Sequence, residues 1–205
     1  LNFNRWNAIY AEPDVFGEPM QIVQEAASFL SGALPERKVL DVGAGQGRHA
    51  IPLARRGFNV TAIDGSEKGI EAIAAVARSE HLENLRCIVA DLRQWHISEK
   101  YDLVVSVAVI HCLDRGPGQQ LLHNIRAHTR PGGYNVIVAF LNEGDLFSQS
   151  EFRDKLWLLP GQLRDLYSDW QIVRYFEQSG SCRQTNDDGS AMSNMSARLI
   201  ARRPF

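Results

Sequence analysis

The spacing of apolar residues changes rhythm several times along the chain, and each change marks an element. From Gln21 to Leu34 apolar residues recur near helical spacing (Ile22, Val23, Ala26, Ala27, Phe29, Leu30) until Pro35 ends the pattern, which predicts a helix. A β-rich run follows at Val39–Val42, then a helix over Ala50–Arg56 closed by Gly57, a strand at Phe58–Ile63 and a helix over Glu67–Ser79. Leu85–Ala90 reads as a third strand and the wholly apolar Leu103–Ile110 as a fourth. A helix over Gly118–His128 and the turn Pro131-Gly132-Gly133 then lead to a fifth strand at Val136–Leu141. Strands alternate with helices and are apolar on both faces, so the expected architecture is a parallel sheet covered on each side, with right-handed crossovers. The tail breaks this alternation. Trp170–Glu177 and Ser196–Arg203 are strand-like and flank a polar loop holding Asn186-Asp187-Asp188-Gly189, the turn chemistry of an antiparallel hairpin. The first 20 residues mix aromatics with Pro13, Gly17 and Pro19, which predicts a short helix and an irregular cover.

Composition narrows the class. A chain of 205 residues suits one α/β domain, with residues 1–34 as cover segment and helix and residues 36–205 as the core. A net charge of −2 with both signs interspersed gives no basic stripe for nucleic acid, so a small-molecule partner is expected, on a monomer or homodimer. Cys87, Cys112 and Cys182 form no CxxC pair and the histidines no HxxxH spacing, so neither a disulfide framework nor a metal site is expected, and the compartment expected is the cytoplasm. No apolar stretch approaches the roughly 18 residues of a membrane span, and Leu1–Met20 lacks the features of a signal peptide.

The chemistry concentrates at LDVGAGQGRHA, residues 40–50. In an open parallel sheet, ligands sit beyond the carboxyl ends of the strands where strand order reverses, which is where Gly43, Gly45 and Gly47 fall. A dinucleotide fingerprint needs glycine at position 48, where Arg48 stands, and no GxxxxGK[ST] occurs anywhere. Asp64, ending the second strand, can accept hydrogen bonds from both hydroxyls of a ribose, and Asp91, just past the third, can meet an adenine amine. Each aspartate, like Asp41 before the glycines, also has a plain reading as a turn or cap residue.

The segments VLDVGAGQGRHA, VTAIDGSEKGIE, VADLRQW, YDLVVSVAVIHCL and TRPGGYNVIVAF, in this order and spacing, resemble the successive motifs of class I S-adenosylmethionine-dependent methyltransferases. The resemblance covers about residues 36–205. It implies a Rossmann-like three-layer α/β/α sandwich with a seven-stranded sheet in the order 3-2-1-4-5-7-6, strand 7 antiparallel. It also implies S-adenosyl-L-methionine as cofactor and S-adenosyl-L-homocysteine as product. Asp41, Gly43, Ala44, Gly45, Gly47, Asp64, Gly65, Asp91, Leu92 and Ser106 become the expected cofactor-binding positions. Among them Gly43–Gly47 would take the methionine end, Asp64 the ribose, Asp91 the adenine amine, and Leu92 the base through its amide.

Methyl transfer from a sulfonium is an in-line displacement that needs chiefly alignment and exclusion of water. Tyr10 and Phe16 are therefore the expected lid and substrate positions, since a ring facing a sulfonium gains about 0.5–2 kcal/mol. Packing of a cover helix is the alternative role for Trp6, Tyr10 and Phe16. His111, after the fourth strand, is placed at the rim facing the methyl as a candidate base, with packing as its alternative. Within the class the chain resembles the tellurite-resistance (TehB-like) methyltransferases, which implies a tellurite- or selenite-type oxyanion as acceptor. That family carries a cluster of cations in the loop between the last two strands. Here Arg183 remains as a candidate catalytic residue, beside Gln184, and Ala191 follows the Asp188-Gly189 turn. The thinned cluster leaves open another small acceptor, such as a thiol, a thiopurine or a metabolite, or a cofactor-binding protein without catalysis.

Overall fold

The computed structural model describes residues 3–30, 37–148 and 154–205, with the backbone alone for Arg183. Strands β1 (Lys38–Val42), β2 (Asn59–Asp64), β3 (Leu85–Val89), β4 (Tyr101–Val107), β5 (Thr129–Phe140), β6 (Gln171–Thr185) and β7 (Ala191–Arg202) form one sheet in the order β3-β2-β1-β4-β5-β7-β6. β1 to β5 pair in parallel, and β7 runs antiparallel between β5 and β6. The order reverses between β1 and β4, so the crevice outside their carboxyl ends is the place for a ligand.

Alternation along each strand divides the core into two layers. Val39, Val60, Val105, Val136 and Ile200 pack under α2 (Gln21–Ser28), α3 (Ala50–Arg55) and α4 (Glu67–Ser79). Leu40, Val104, Ile137 and Leu199 face the other way, under α5 (Arg115–Ala127) and Leu163 of α7 (Gln162–Leu166). A short helix α1 (Phe3–Ile9) lies over the start of α4, and α6 (Asp145–Ser148) follows β5. α4 begins where Ser66 caps it, its hydroxyl accepting the Gly69 N–H at 3.1 Å.

The sequence expectations shift in four places. α2 ends at Ser28, and residues 31–34 of the longer predicted helix lie outside the described residues. β4 stops at Val107 because Ala108 takes a left-handed φ of +55°, after which Ile110–Cys112 wind into a 3₁₀ turn. Pro131-Gly132-Gly133 lies inside β5 instead of preceding it, and the ladder with β4 shifts register between Tyr101 and Leu103 to absorb it. In the tail hairpin β6 runs on to Thr185 and β7 starts at Ala191 instead of Ser196, so Gly180 and Arg183 belong to a strand rather than a loop, with an irregular register between Ser181 and Thr185. The connecting turn is the one expected, closed by Asn186 N–H to Ser190 C=O at 2.8 Å with Gly189 left-handed. Among the described residues no helix is long and apolar enough to cross a membrane, and no group of His, Cys, Asp and Glu could hold a metal ion.

Candidate active site

Where β1 ends, Gly43, Gly45 and Gly47 take φ values of +73°, +53° and +86°, a sequence of left-handed turns that side chains resist. The Gly43 and Ala44 N–H groups both donate to the Ile63 carbonyl, at 2.8 and 3.0 Å, which folds the loop onto the end of β2. A Cβ on Gly43 would stand 2.2 Å from the Val109 side chain, so the loop also closes tightly against the segment after β4. Asp64 ends β2 beneath the loop. Its Oδ2 accepts the Gly45 N–H at 2.9 Å and its Oδ1 the Ser66 N–H at 2.8 Å, which leaves lone pairs on each oxygen. Burial pushes this carboxyl up, and the Ser66, Gly45 and Gly65 N–H groups pull against it.

The N-terminal cover closes the crevice from above, and the loop's own side chains hold it there. Gln46 Nε2 donates to the carbonyls of Tyr10 (3.1 Å) and Glu12 (2.7 Å), while Gln46 Oε1 accepts the Val15 N–H at 3.0 Å. Arg48 Nε donates to the Glu18 carbonyl at 2.5 Å. On the α4 side, Asn7 Oδ1 accepts from the Ser66 hydroxyl (2.6 Å) and the Lys68 N–H (3.3 Å). Tyr10 lies against Gly45, where a Cβ would meet its hydroxyl at 2.7 Å, and its ring stacks on Trp6 with centroids 5.6 Å apart. Burial first, then the charges of Asp64, Cys112 and Asp41, raise the Tyr10 phenol above its ordinary range, so it stays protonated. Between cover and loop lies a cavity of about 470 Å³.

Gly43, Ala44, Gly45, Gly47, Asp64, Gly65 and Leu92 line this cavity together with Tyr10 and Phe16. Four expected positions do not. Asp91 is claimed by Arg93, whose Nε lies 2.9 Å from both carboxylate oxygens and whose Nη2 lies 2.6 Å from Oδ2. Asp41 is buried in β1 immediately behind the loop, its Oδ2 has no partner, and burial, opposed by the Ala50 N–H, drives its carboxyl up to about 7. Ser106 is likewise buried with its hydroxyl unpartnered. His111 does not face the cavity, because the left-handed Ala108 turns the chain and the 3₁₀ turn carries the ring to Phe140 and Trp157, at 4.4 and 5.5 Å. Burial lowers that imidazole to about 4, with Nδ1 unpartnered. Beside it, burial raises the Cys112 thiol to about 12, far from a thiolate nucleophile. For Arg183 only the strand position is described. The sequence reading missed Gln46, whose signal was a polar side chain set between two glycines, and Val107–Val109, which form a wall of the cavity.

A sequence profile of the family described as tellurite resistance protein TehB matches residues 18–199. The chain belongs to the TehB family. A relative from Haemophilus influenzae, named as a probable S-adenosyl-L-methionine-dependent methyltransferase TehB, is 32% identical over 181 residues, covering 88% of this chain and 61% of its own length. This chain therefore spans about three fifths of that TehB relative. The crystal structure of TehB from Haemophilus influenzae matches with a TM-score of 0.80 at 28% identity, over 93% of this chain and 66% of that one. The N-methyltransferase NodS from Bradyrhizobium japonicum, solved in complex with S-adenosyl-L-homocysteine, shares the fold with a TM-score of 0.69 at 17% identity, over 99% and 98% of the two chains. The Rossmann-like methyltransferase fold expected for a TehB-family chain is the fold observed, strand order included.

Proposed function

We propose that this chain is an S-adenosyl-L-methionine-dependent methyltransferase acting on a small acceptor, and that the acceptor is an oxyanion of the tellurite or selenite type. The observation that carries the first part is Asp64: a carboxylate at the end of β2, beside the switch point, bonded to the glycine loop and lining a cavity large enough to enclose a nucleoside. Gly43–Gly47 would hold the methionine end through close backbone approach, Asp64 the ribose hydroxyls, and Leu92 the base. Asp41 Oδ2 and Ser106 Oγ, buried and unpartnered directly behind the loop, are groups that a polar ligand or its water would satisfy. Bound there, the cofactor would supply a methyl group from a positively charged sulfur to a lone pair of the acceptor, the carbon–sulfur bonding electrons remaining on sulfur in the thioether product.

The residues of the chain contribute alignment and dryness. Tyr10, Trp6 and Phe16 exclude water, and the protonated Tyr10 ring offers a π face to the cation, a contribution of about 0.5–2 kcal/mol. An acceptor that arrives as an anion already carries its nucleophilic electron pair, so no general base is required. Family membership and the TehB name of the relatives support the oxyanion. Gln184 and Ala191, at positions where the resemblance to the family implies cations, favour a different small acceptor as the second reading. Calorimetry with S-adenosyl-L-homocysteine tests cofactor binding. Mass spectrometry of products from a panel of selenite, tellurite, thiols and thiopurines tests the acceptor: methylated selenium or tellurium supports the oxyanion, methylated thiol alone supports the second reading, and no product with tight cofactor binding overturns catalysis.

A further inference from the structure

We propose that Arg48, His49 and Arg198 form a subsite for an anionic oxygen group, a carboxylate or a small oxyanion, on the α2–α3 side of the cavity. The sheet register places the third member. Val107 of β4, a wall residue of the cavity, pairs with Val138 of β5, which pairs with Arg198 of β7. Arg198 thus starts two strand spacings, roughly 10 Å, from the cavity wall, on the face that α2 and α3 cover. Its guanidinium lies over the Phe176 ring at 5.7 Å, and its Nε is buried with no acceptor.

The other two members come from the glycine loop. Arg48 and His49 both line the cavity. Arg48 commits Nε to the Glu18 carbonyl, which orients the guanidinium fork and keeps its two terminal nitrogens as donors. His49 is 5% exposed and its Nε2 has no partner. Burial, then the Arg48 charge, lowers its imidazole to about 4, so the ring is neutral and can donate one N–H without adding charge.

What is unusual is the company these groups keep. Burial, then the charge of Arg198, holds Arg48 below the ordinary guanidinium range, and burial does the same to Arg198. The carboxylate that acts on Arg48 is the exposed Asp14, and Asp41, on the same face of the sheet, is itself driven up to about 7. Two partly buried cations, one with its own Nε orphaned and the other followed in the chain by the orphaned Nε2 of His49, cost stability unless an anion joins them, and a guanidinium fork suits planar oxygen pairs.

Two anions have this chemistry: the acceptor's oxyanion, or the amino-acid carboxylate of the cofactor. Assigning either one rests on the methyltransferase reading, whereas the subsite itself does not. The test is calorimetry on the full chain with sodium selenite, S-adenosyl-L-homocysteine and 5′-methylthioadenosine, the last carrying the nucleoside without the carboxylate. Arg198→Met and Arg48→Met are expected to weaken one anion by about tenfold or more, with Arg198→Lys intermediate because it keeps charge but loses the fork. A loss confined to selenite assigns the subsite to the acceptor. A loss for S-adenosyl-L-homocysteine but not for methylthioadenosine assigns it to the cofactor. If both anions bind both methionine variants within about twofold of wild type, or if selenite is lost only in Arg183→Gln, the proposal is overturned. Thermal melts verify folding, and Arg198→Lys decides the matter if Arg198→Met does not fold. Should wild type bind neither nucleoside, the methyltransferase reading fails while the selenite arm still decides the subsite.

Discussion

At the scale of single residues, the buried carboxyl of Asp41 and the half-buried one of Asp64, both behind one loop, behave differently because their partners differ. Asp64 is bound by backbone N–H groups and faces the cavity, so Asp64→Ala is expected to weaken S-adenosyl-L-homocysteine binding by about 1–3 kcal/mol, read by calorimetry, with the fold retained. Asp41 keeps one bare oxygen at 1% exposure and a carboxyl raised to about 7. A carboxyl raised in the folded state favours the native protein at low pH. Its contribution falls as pH climbs from about 4 to 7, by an amount on the order of 2–4 kcal/mol. His49 and His111, lowered to about 4, act in the opposite direction and lose stability as pH drops below about 6.5. Denaturant melts of Asp41→Asn should therefore show the variant gaining on wild type between pH 4 and 7; parallel curves would remove Asp41 from this role. Of these residues, the glycines and Asp64 were legible because a motif fixes their spacing. His111 was misplaced because nothing about an alanine at 108 announces a left-handed turn. Arg48 and Arg198 could not be associated without the sheet register, since 150 residues of chain separate them.

At the scale of elements, agreement followed the strength of the local signal. α4 starts and ends where its capping serine and apolar stripe place it. β6 overran its prediction because Gln178-Ser179-Gly180-Ser181 has no apolar rhythm; the ladder to β7 imposes extension on it regardless. The N-terminal cover shows the same dominance of tertiary contacts, for α1 has no buried residue of its own; Asn7 ties it to the start of α4, Phe3 packs on Gly65, and the loop holds the segment that follows it at Tyr10. Gln46→Ala removes three hydrogen bonds to that cover, each with a net value of about 0.5–1.5 kcal/mol. Limited proteolysis between residues 10 and 20 is expected to quicken several-fold in this variant, with the core fragment surviving intact. An unchanged cleavage rate would show that the aromatic stack, rather than Gln46, secures the segment.

For the whole molecule, the alternation of strands with helices predicted a sheet covered on both faces, whereas the strand order came from the resemblance to class I methyltransferases, because alternation alone does not say which strands are neighbours. The acceptor was not legible in the same way, since side chains from several elements must converge to define it. A ligand that binds only the folded chain stabilises it by mass action, about 2.7 kcal/mol at a hundredfold excess over its dissociation constant. For a chain of this length that corresponds to a rise in melting temperature of roughly 5–10 °C with S-adenosyl-L-homocysteine, and no rise with NADH. A shift with NADH instead would point to a nicotinamide site. The bonds from Gln46 to residues 10–15 also bear on speed. Because one side chain joins the roof of the crevice to its floor, a nucleoside enclosed as proposed would leave as those bonds open, so Gln46→Ala is expected to speed its release along with the cleavage of the cover.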